Sequence, residues 1–254
     1  MADISYELPL NERIRTLIRL EHLFQQTAHT RRGASAWDSR LTMTGLIDIL
    51  QIASRSDLKT ELIKELERLS VTLRPLQSKQ DIDHKKLGYI LDEIDDTENR
   101  LHNLSGLLCQ SLRDNEFIAS IRQRQSVPGG TCDVDLPAFH CWLQLAEEDR
   151  LADFDRWFAE LDLLCSAVTL ILRLVRQSAV PTRASAERGF FQQSLDTATP
   201  YQMVRVSISE DSDVFAEISG GKHRFTIRFL KLQTNGRPVQ TEENIDFQLC
   251  MCVI

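Results

Sequence analysis

The hydrophobic period of this chain changes near Pro181, and that change restricts the fold more than any other feature. Before it, apolar residues recur at helical spacing; beyond it, they alternate one by one. The helical period of about 3.6 and the strand period of about 2 place side chains on different faces, so a segment built for one does not suit the other. A helical body followed by a β layer is the consequence. With only 10 Gly and 7 Pro in 254 residues, tight turns are few and the helices are expected to be long.

In the helical part, Asn11 is the predicted N-cap of a first helix whose apolar stripe includes Leu10, Ile14, Leu17, Ile18 and Phe24. A looser polar segment containing Gly33 and Trp37 follows, then the short apolar stretch LTMTGLIDILQIA. LKTELIKELERLSVTL reads as a strongly amphipathic helix, supported by closely spaced acids and bases and stopped by Pro75. A charged helix is expected over roughly 83–103, with further helices through LLCQSLRD and NEFIASIRQRQ. SVPGGTCDVDLPAF interrupts them with two adjacent glycines, Asp135 at a predicted N-cap and Pro137 in the first turn. The next helix carries Phe139, Trp142 and Leu143 at core spacing, and Asp149 through Ala179 reads as one last long helix.

Residues 182–200 form a Ser/Thr/Ala-rich connection punctuated by Gly189-Phe190-Phe191. Three strand-like runs follow. MVRVSIS turns Val204, Val206 and Ile208 inward, KHRFTIRF turns Phe225, Ile227 and Phe229 inward, and NIDFQLCMCV does the same with Ile245, Phe247, Leu249, Met251 and Val253. Asn235-Gly236 is a hairpin signal between the last two. Residues 3–8 alternate as well and make a short strand ended by Pro9. The expected fold is α+β: a mostly helical domain over 9–181, and a small antiparallel β-sheet domain over 182–254 joined by the N-terminal strand 3–8.

The chain is 42% hydrophobic and 26% charged with a net charge of -7, ordinary for a soluble protein and unlike a general nucleic-acid binder. The N-terminus has no basic-then-apolar leader, and the apolar run 163–172 is too short to span a bilayer. The six cysteines show no CxxC or zinc-finger spacing, which suits a reduced, cytoplasmic protein. Cys250 and Cys252 share a strand face; two ordinary reduced thiols is the simpler reading beside a soft-metal pair. The C-terminal MCVI does not fit prenylation. GxGxxG, P-loop, HExxH and GxSxG motifs are absent, and His140-Cys141 are helical neighbours that do not face each other. The acids Asp92-Glu93 and Asp95-Asp96 read as a solvated helix face. No catalytic residue, metal or cofactor is predicted.

One feature departs from the bland pattern. The outward parity of residues 222–229 carries Lys222, Arg224 and Arg228 in an acidic chain. Cations on an outer strand face serve solubility or blunt an edge. Arginine, however, also suits bidentate recognition of carboxylates. If strand 3–8 joins the C-terminal sheet, the first helix leaves from that sheet and brings Arg15 and, one turn on, Arg19 beside the basic strand. The result would be a local cationic groove suited to a short acidic peptide. Two alternatives use the same groove: an enzyme acting on a small anion, which lacks a visible nucleophile or base, and a nucleic-acid binder, which lacks aromatics among the cations because the strand's phenylalanines point inward.

At these residues the chain resembles the ZapD family of Z-ring-associated bacterial division proteins. The likeness is carried by PLNERIRTLIRLEHL, LKTELIKELERL, IRQRQSVPGGTCDVDLPAFHCWL, LRLVRQSA, ISGGKHRFTIRF and DFQL, with the VPGG and DLPxxHxWL block the most specific. Residues 31–40, 81–106 and the terminal CMCVI match poorly. The resemblance implies a non-enzymatic cytoplasmic homodimer that binds the acidic C-terminal tail of FtsZ, the tubulin-like division GTPase, and bundles its filaments at the midcell ring. It carries Arg15, Arg224 and Arg228 over as tail-binding residues; Lys222 and Arg19 come from geometry alone. Neither nucleic acid nor membrane is an expected partner.

Overall fold

A computed structural model describes residues 3–55, 57–80, 82–221 and 223–254. The chain forms two compact units, one of Thr16–Ile171 and one of Met1–Arg15 with Leu172–Ile254. No helix among the described residues is long and apolar enough to cross a membrane.

The helices are α1 (Glu12–Thr30), α2 (Ala36–Ala53), α3 (Leu58–Leu73), α4 (His84–Asn103), α5 (Gln110–Arg113), α6 (Glu116–Gln125), α7 (Pro137–Leu143), α8 (Glu147–Ala159) and α9 (Asp162–Gln177). Asn11 caps α1, its Oδ1 accepting from the Ile14 N–H at 2.9 Å. Pro75 stops α3 by opening a short 3-10 turn, Arg74–Ser78, and the side chain of Asp83 caps α4. Trp37 lies inside α2, not in a loop, because Ser35 and Asp38 form a reciprocal capping box that starts the helix at once. Leu136, not Asp135, is the N-cap of α7; Asp135 instead accepts from the Cys132 thiol at 3.4 Å.

The expected single helix through Asp149–Ala179 is two, α8 and α9, broken at Glu160-Leu161. Phe154, Trp157, Leu161, Leu164, Val168 and Ile171 are all buried and keep helical spacing across the break, so periodicity reads straight through it. The core of this unit is aromatic: Trp142 packs on Phe154 with ring centroids 5.3 Å apart and on Phe139 at 5.9 Å. The Trp142 indole N–H donates to Asp153 at 2.8 Å, so its polar atom is satisfied at the margin of that core.

The other unit holds β1 (Asp3–Pro9), β2 (Thr182–Ala186), β3 (Phe190–Ser194), β4 (Met203–Ser209), β5 (Val214–Gly220), β6 (Arg224–Lys231), β7 (Val239–Gln240) and β8 (Ile245–Cys252). The N-terminal strand joins as expected, β1 pairing antiparallel with β4 from Asp3 opposite Ser209 to Pro9 opposite Met203. There are two sheets, however: β1-β4-β8-β2, and β3-β6-β5 with β7 on the end of β6. They share one core of Val204, Val206, Phe225, Ile227, Phe229, Phe247 and Leu249, with Phe247 of the first sheet 5.2 Å from Phe229 of the second. A second sheet is needed because the apolar parity of β6 must be covered from the far side.

Two connections follow from backbone chemistry. Arg188 and Gly189 have φ of 48° and 69°, and the Phe190 N–H donates to the Glu187 carbonyl at 3.0 Å. Two successive left-handed residues make the tight turn that suits a hairpin, and β2 and β3 carry it from one sheet to the other. Asn235-Gly236 does sit in a turn, but it leads β6 to β7, where Lys231 opposes Val239. β8 pairs with β4 and β2 in the other sheet.

Candidate functional site

β6 is the central strand of the second sheet, between β3 and β5. Its parity is as the sequence predicts: Phe225, Ile227 and Phe229 are wholly buried, while Arg224 and Arg228 are exposed on the outer face. Burial of three large apolar side chains locks the register, since a slip of one residue would turn them to water. The cations are therefore held outward by the phenylalanines behind them.

The two arginines differ in state. Arg228 pairs across the sheet with Glu217, the residue directly opposite it on β5. Arg224 is exposed, opposes Ser194 on β3, and has no ion-pair partner among the described residues. Between them Thr226 shares a hydrogen bond of 2.8 Å with Ser219. Lys231, at the far end, is committed to Asp213 and Glu243, each at 2.9 Å; those carboxylates raise its pKa. Lys222 lies outside the described residues.

Arg15 is half-exposed on the first turns of α1, its Nε 3.0 Å from Glu12. The start of α1 is pinned to the β unit: the Leu10 N–H donates to the Gln202 carbonyl at 2.9 Å, and the Asn11 side-chain amide to the Gln202 side chain at 2.8 Å. A hollow of about 290 Å³ opens there, lined by Leu10, Asn11, Leu195, Thr197, Tyr201 and His223, among others. One wall is the residue that caps the helix of Arg15, and another is the residue that precedes Arg224. Arg19 belongs to the helical unit, where it is exposed on α1.

Sequence reasoning missed three participants. Glu217 could have been found only by knowing which strand lies beside β6. The hollow is built largely from 195–202, which has no periodicity to read. Phe190 is 42% exposed and stands opposite Arg228 on the outer face, so the cationic face does carry an aromatic, contributed by β3 and not by β6.

Elsewhere, burial pushes the Cys252 thiol up to about 12, the reverse of what a metal-binding thiolate needs. Glu67, Glu98 and His102 bring ligand atoms within 4.8 Å of one another on the α3 and α4 helices, at a largely exposed site to which no ion is assigned.

The fold and this surface define a class: an α+β protein presenting exposed arginines on the outer face of a central strand, a chemistry suited to an anionic segment. Comparison with known proteins is more specific. The profile of ZapD, described as a cell division protein, matches residues 18–228. The Methylococcus capsulatus cell division protein ZapD is 42% identical over 251 residues, covering 99% of this chain and 98% of that protein. The namesake from Azoarcus sp. strain BH72 is 37% identical over 251 residues, covering 99% of this chain and all of that protein, and the one from Aromatoleum aromaticum is 37% identical over 249 residues, covering 98% and 97%. The chain belongs to the ZapD family of cell division proteins.

Proposed function

We propose that the chain binds the acidic C-terminal tail of FtsZ and, as a symmetric dimer, bundles FtsZ filaments at the midcell ring in the cytoplasm. Arg224 is the principal contact, with Arg228 on the same strand face; Arg15, Lys222 and Arg19 are the further tail-binding candidates. The observation that carries this reading is the state of Arg224: exposed on the outer face of β6 and without an ion-pair partner among the described residues, in a protein of net charge -7.

A guanidinium in that state is ready to take a carboxylate. Arg228 contributes once Glu217 yields it, a modest cost because exposed pairs hold by only about 0–1 kcal/mol. Each tail is therefore held weakly, and a dimer engaging two filaments gains its strength from the many tails a filament offers. Phe190 adds an apolar surface against which a peptide side chain can rest.

Co-sedimentation with polymerised FtsZ, intact and lacking its C-terminal tail, tests the proposal. Pelleting and bundling with intact filaments only is the expected result. Equal pelleting with both would place the contact on the filament body and leave the strand cations a solubilising role. Competition adds a second arm: an acidic tail peptide, but not a single-stranded oligonucleotide, should displace the bound chain.

A further inference from the structure

Three sets of polar side chains cross the seam between α3 and α4, and the middle set has no lysine or arginine in it. At one end the Arg74 guanidinium donates to both oxygens of Asp95, at 2.7 and 2.8 Å. At the other end the Lys59 ammonium donates to the Leu104 carbonyl at 2.6 Å. Between these crossings stand Glu67 of α3 and Glu98 and His102 of α4, with one ligand atom from each within 4.8 Å of the others. Glu67 lies two turns back from Arg74 and His102 two turns on from Asp95, so the helices run antiparallel and one register serves both crossings.

Apolar packing holds that register. Leu62, Leu66 and Leu69 of α3 and Leu91, Ile94 and Leu101 of α4 are buried, so the backbones behind the triad are fixed. Glu98 and His102 are four residues apart and therefore share a face of α4. Glu67 and His102 are exposed and Glu98 is half-buried, which leaves the triad open to an ion from solvent.

The triad offers acceptors without a matching cation. Glu67 has no ion-pair partner among the described residues. His102 is the one basic group there within ion-pair distance of Glu98, and its Nε2 lies 3.7 Å from Glu98 Oε1, beyond hydrogen-bond reach. Neighbouring acids on α4 are served differently: Asp95 has Arg74, and Asp96 has Arg100. Beside a neutral imidazole, the two glutamates place two uncompensated negative charges at one spot. They do so near the C-terminal end of α4, where the helix dipole also favours a cation.

A set of oxygen donors alone would suit magnesium or calcium, whereas the imidazole turns the preference toward zinc and its neighbours. Zinc with ligands at about 2.0–2.1 Å keeps tetrahedral donor atoms about 3.4 Å apart, with water completing the four. Glu98 and His102 are already near that spacing, and the exposed end of Glu67 closes the rest by a shift of about 1 Å.

We propose that Glu67, Glu98 and His102 bind a zinc ion that braces α3 against α4. Calorimetric titration of the metal-stripped, full-length protein with zinc chloride, read beside thermal melts, tests this on the wild type, His102→Ala and Glu67→Gln/Glu98→Gln. The wild type should take up zinc at the triad at micromolar concentrations, and its Tm should rise by about 5–10 °C at about a hundredfold excess over Kd. Both variants should bind at least about tenfold more weakly and lose that rise. Millimolar magnesium should produce neither effect. Without metal, Glu67→Gln/Glu98→Gln should melt no lower than the wild type because it removes uncompensated charge, so loss of zinc through unfolding is recognised at once. The chain has six histidines and six cysteines, so the variants decide where the ion sits. Equal uptake by all three chains would place zinc elsewhere and overturn the site, as would no uptake by the wild type. Uptake at the triad with no rise in Tm would overturn the bracing.

Discussion

The outer faces of the two β sheets carry the same residue type in opposite states. On the first sheet, Glu7 of β1 accepts from Arg176 at the end of α9 in a bidentate pair of 2.8 and 2.9 Å, and Arg205 of β4 lies 3.5 Å from the same carboxylate. These groups are largely buried, the Glu7 side chain keeping 16% of its exposure and that of Arg176 24%. On the second sheet, Arg224 has no such partner among the described residues and Arg228 shares a half-exposed pair with Glu217. An enclosed, satisfied guanidinium is structural; an open one is available to a ligand. The contrast shows that an arginine beside a sheet says little by itself, and that its partner decides what it does.

Four measurements break or sharpen that contrast, from the largest expected effect to the smallest. Arg176→Ala strips Glu7 of its bidentate partner in a partly buried site and should cost about 2 kcal/mol, read as a lower urea midpoint. It should leave the affinity for an acidic tail peptide within about twofold, and a larger loss there would mean the first sheet also binds. Arg224→Glu should do the opposite: peptide affinity falls about tenfold, near 1.4 kcal/mol, with stability changed by less than about 0.5 kcal/mol. Raising salt from about 0.15 to about 1 M shortens the Debye length from about 8 to about 3 Å, so peptide binding should fade while the Glu7 pair persists. Glu217→Gln frees Arg228 and should tighten the peptide about two- to threefold, an increase that a purely solubilising strand would not show.

Thiol chemistry reports on the same difference. Cys250 and Cys252 sit on the outer parity of β8 yet are buried, so the end of that face beside Glu7 and Arg205 is covered. A thiol whose pKa burial has raised to about 12 stays protonated, and so unreactive, until pH approaches that value. Mass spectrometry of iodoacetamide-treated protein at neutral pH should therefore find the exposed Cys141 modified well before Cys252. Equal labelling would mean the first sheet is open too, and the contrast would fail.

Much of the candidate site was legible in the sequence because it rests on local rules. Strand parity puts Arg224 and Arg228 outside once Phe225, Ile227 and Phe229 are inside. Pro9 ends the N-terminal strand, and Asn11 starts α1 where the helix-cap rule places it. What escaped was set by partners distant in the chain. β3 reads as a Gly-Phe-Phe punctuation, and its strand character shows only when it lies against β6 with Phe190 opposite Arg228. The α8–α9 break escaped for a different reason, since the apolar spacing runs through it unbroken.

By itself, then, the sequence determined the α+β class, the N-terminal strand, the faces of β4, β6 and β8, and the family, because periodicity, caps and residue order act over a few positions. Only the tertiary structure decided that the β part is two sheets around one core, that Asn235-Gly236 leads to β7, and that Arg228 pairs with Glu217 while Arg224 has no ion-pair partner among the described residues. Those outcomes depend on which distant segments meet. A side chain's charge is written in the sequence, but its counter-ion comes from another strand.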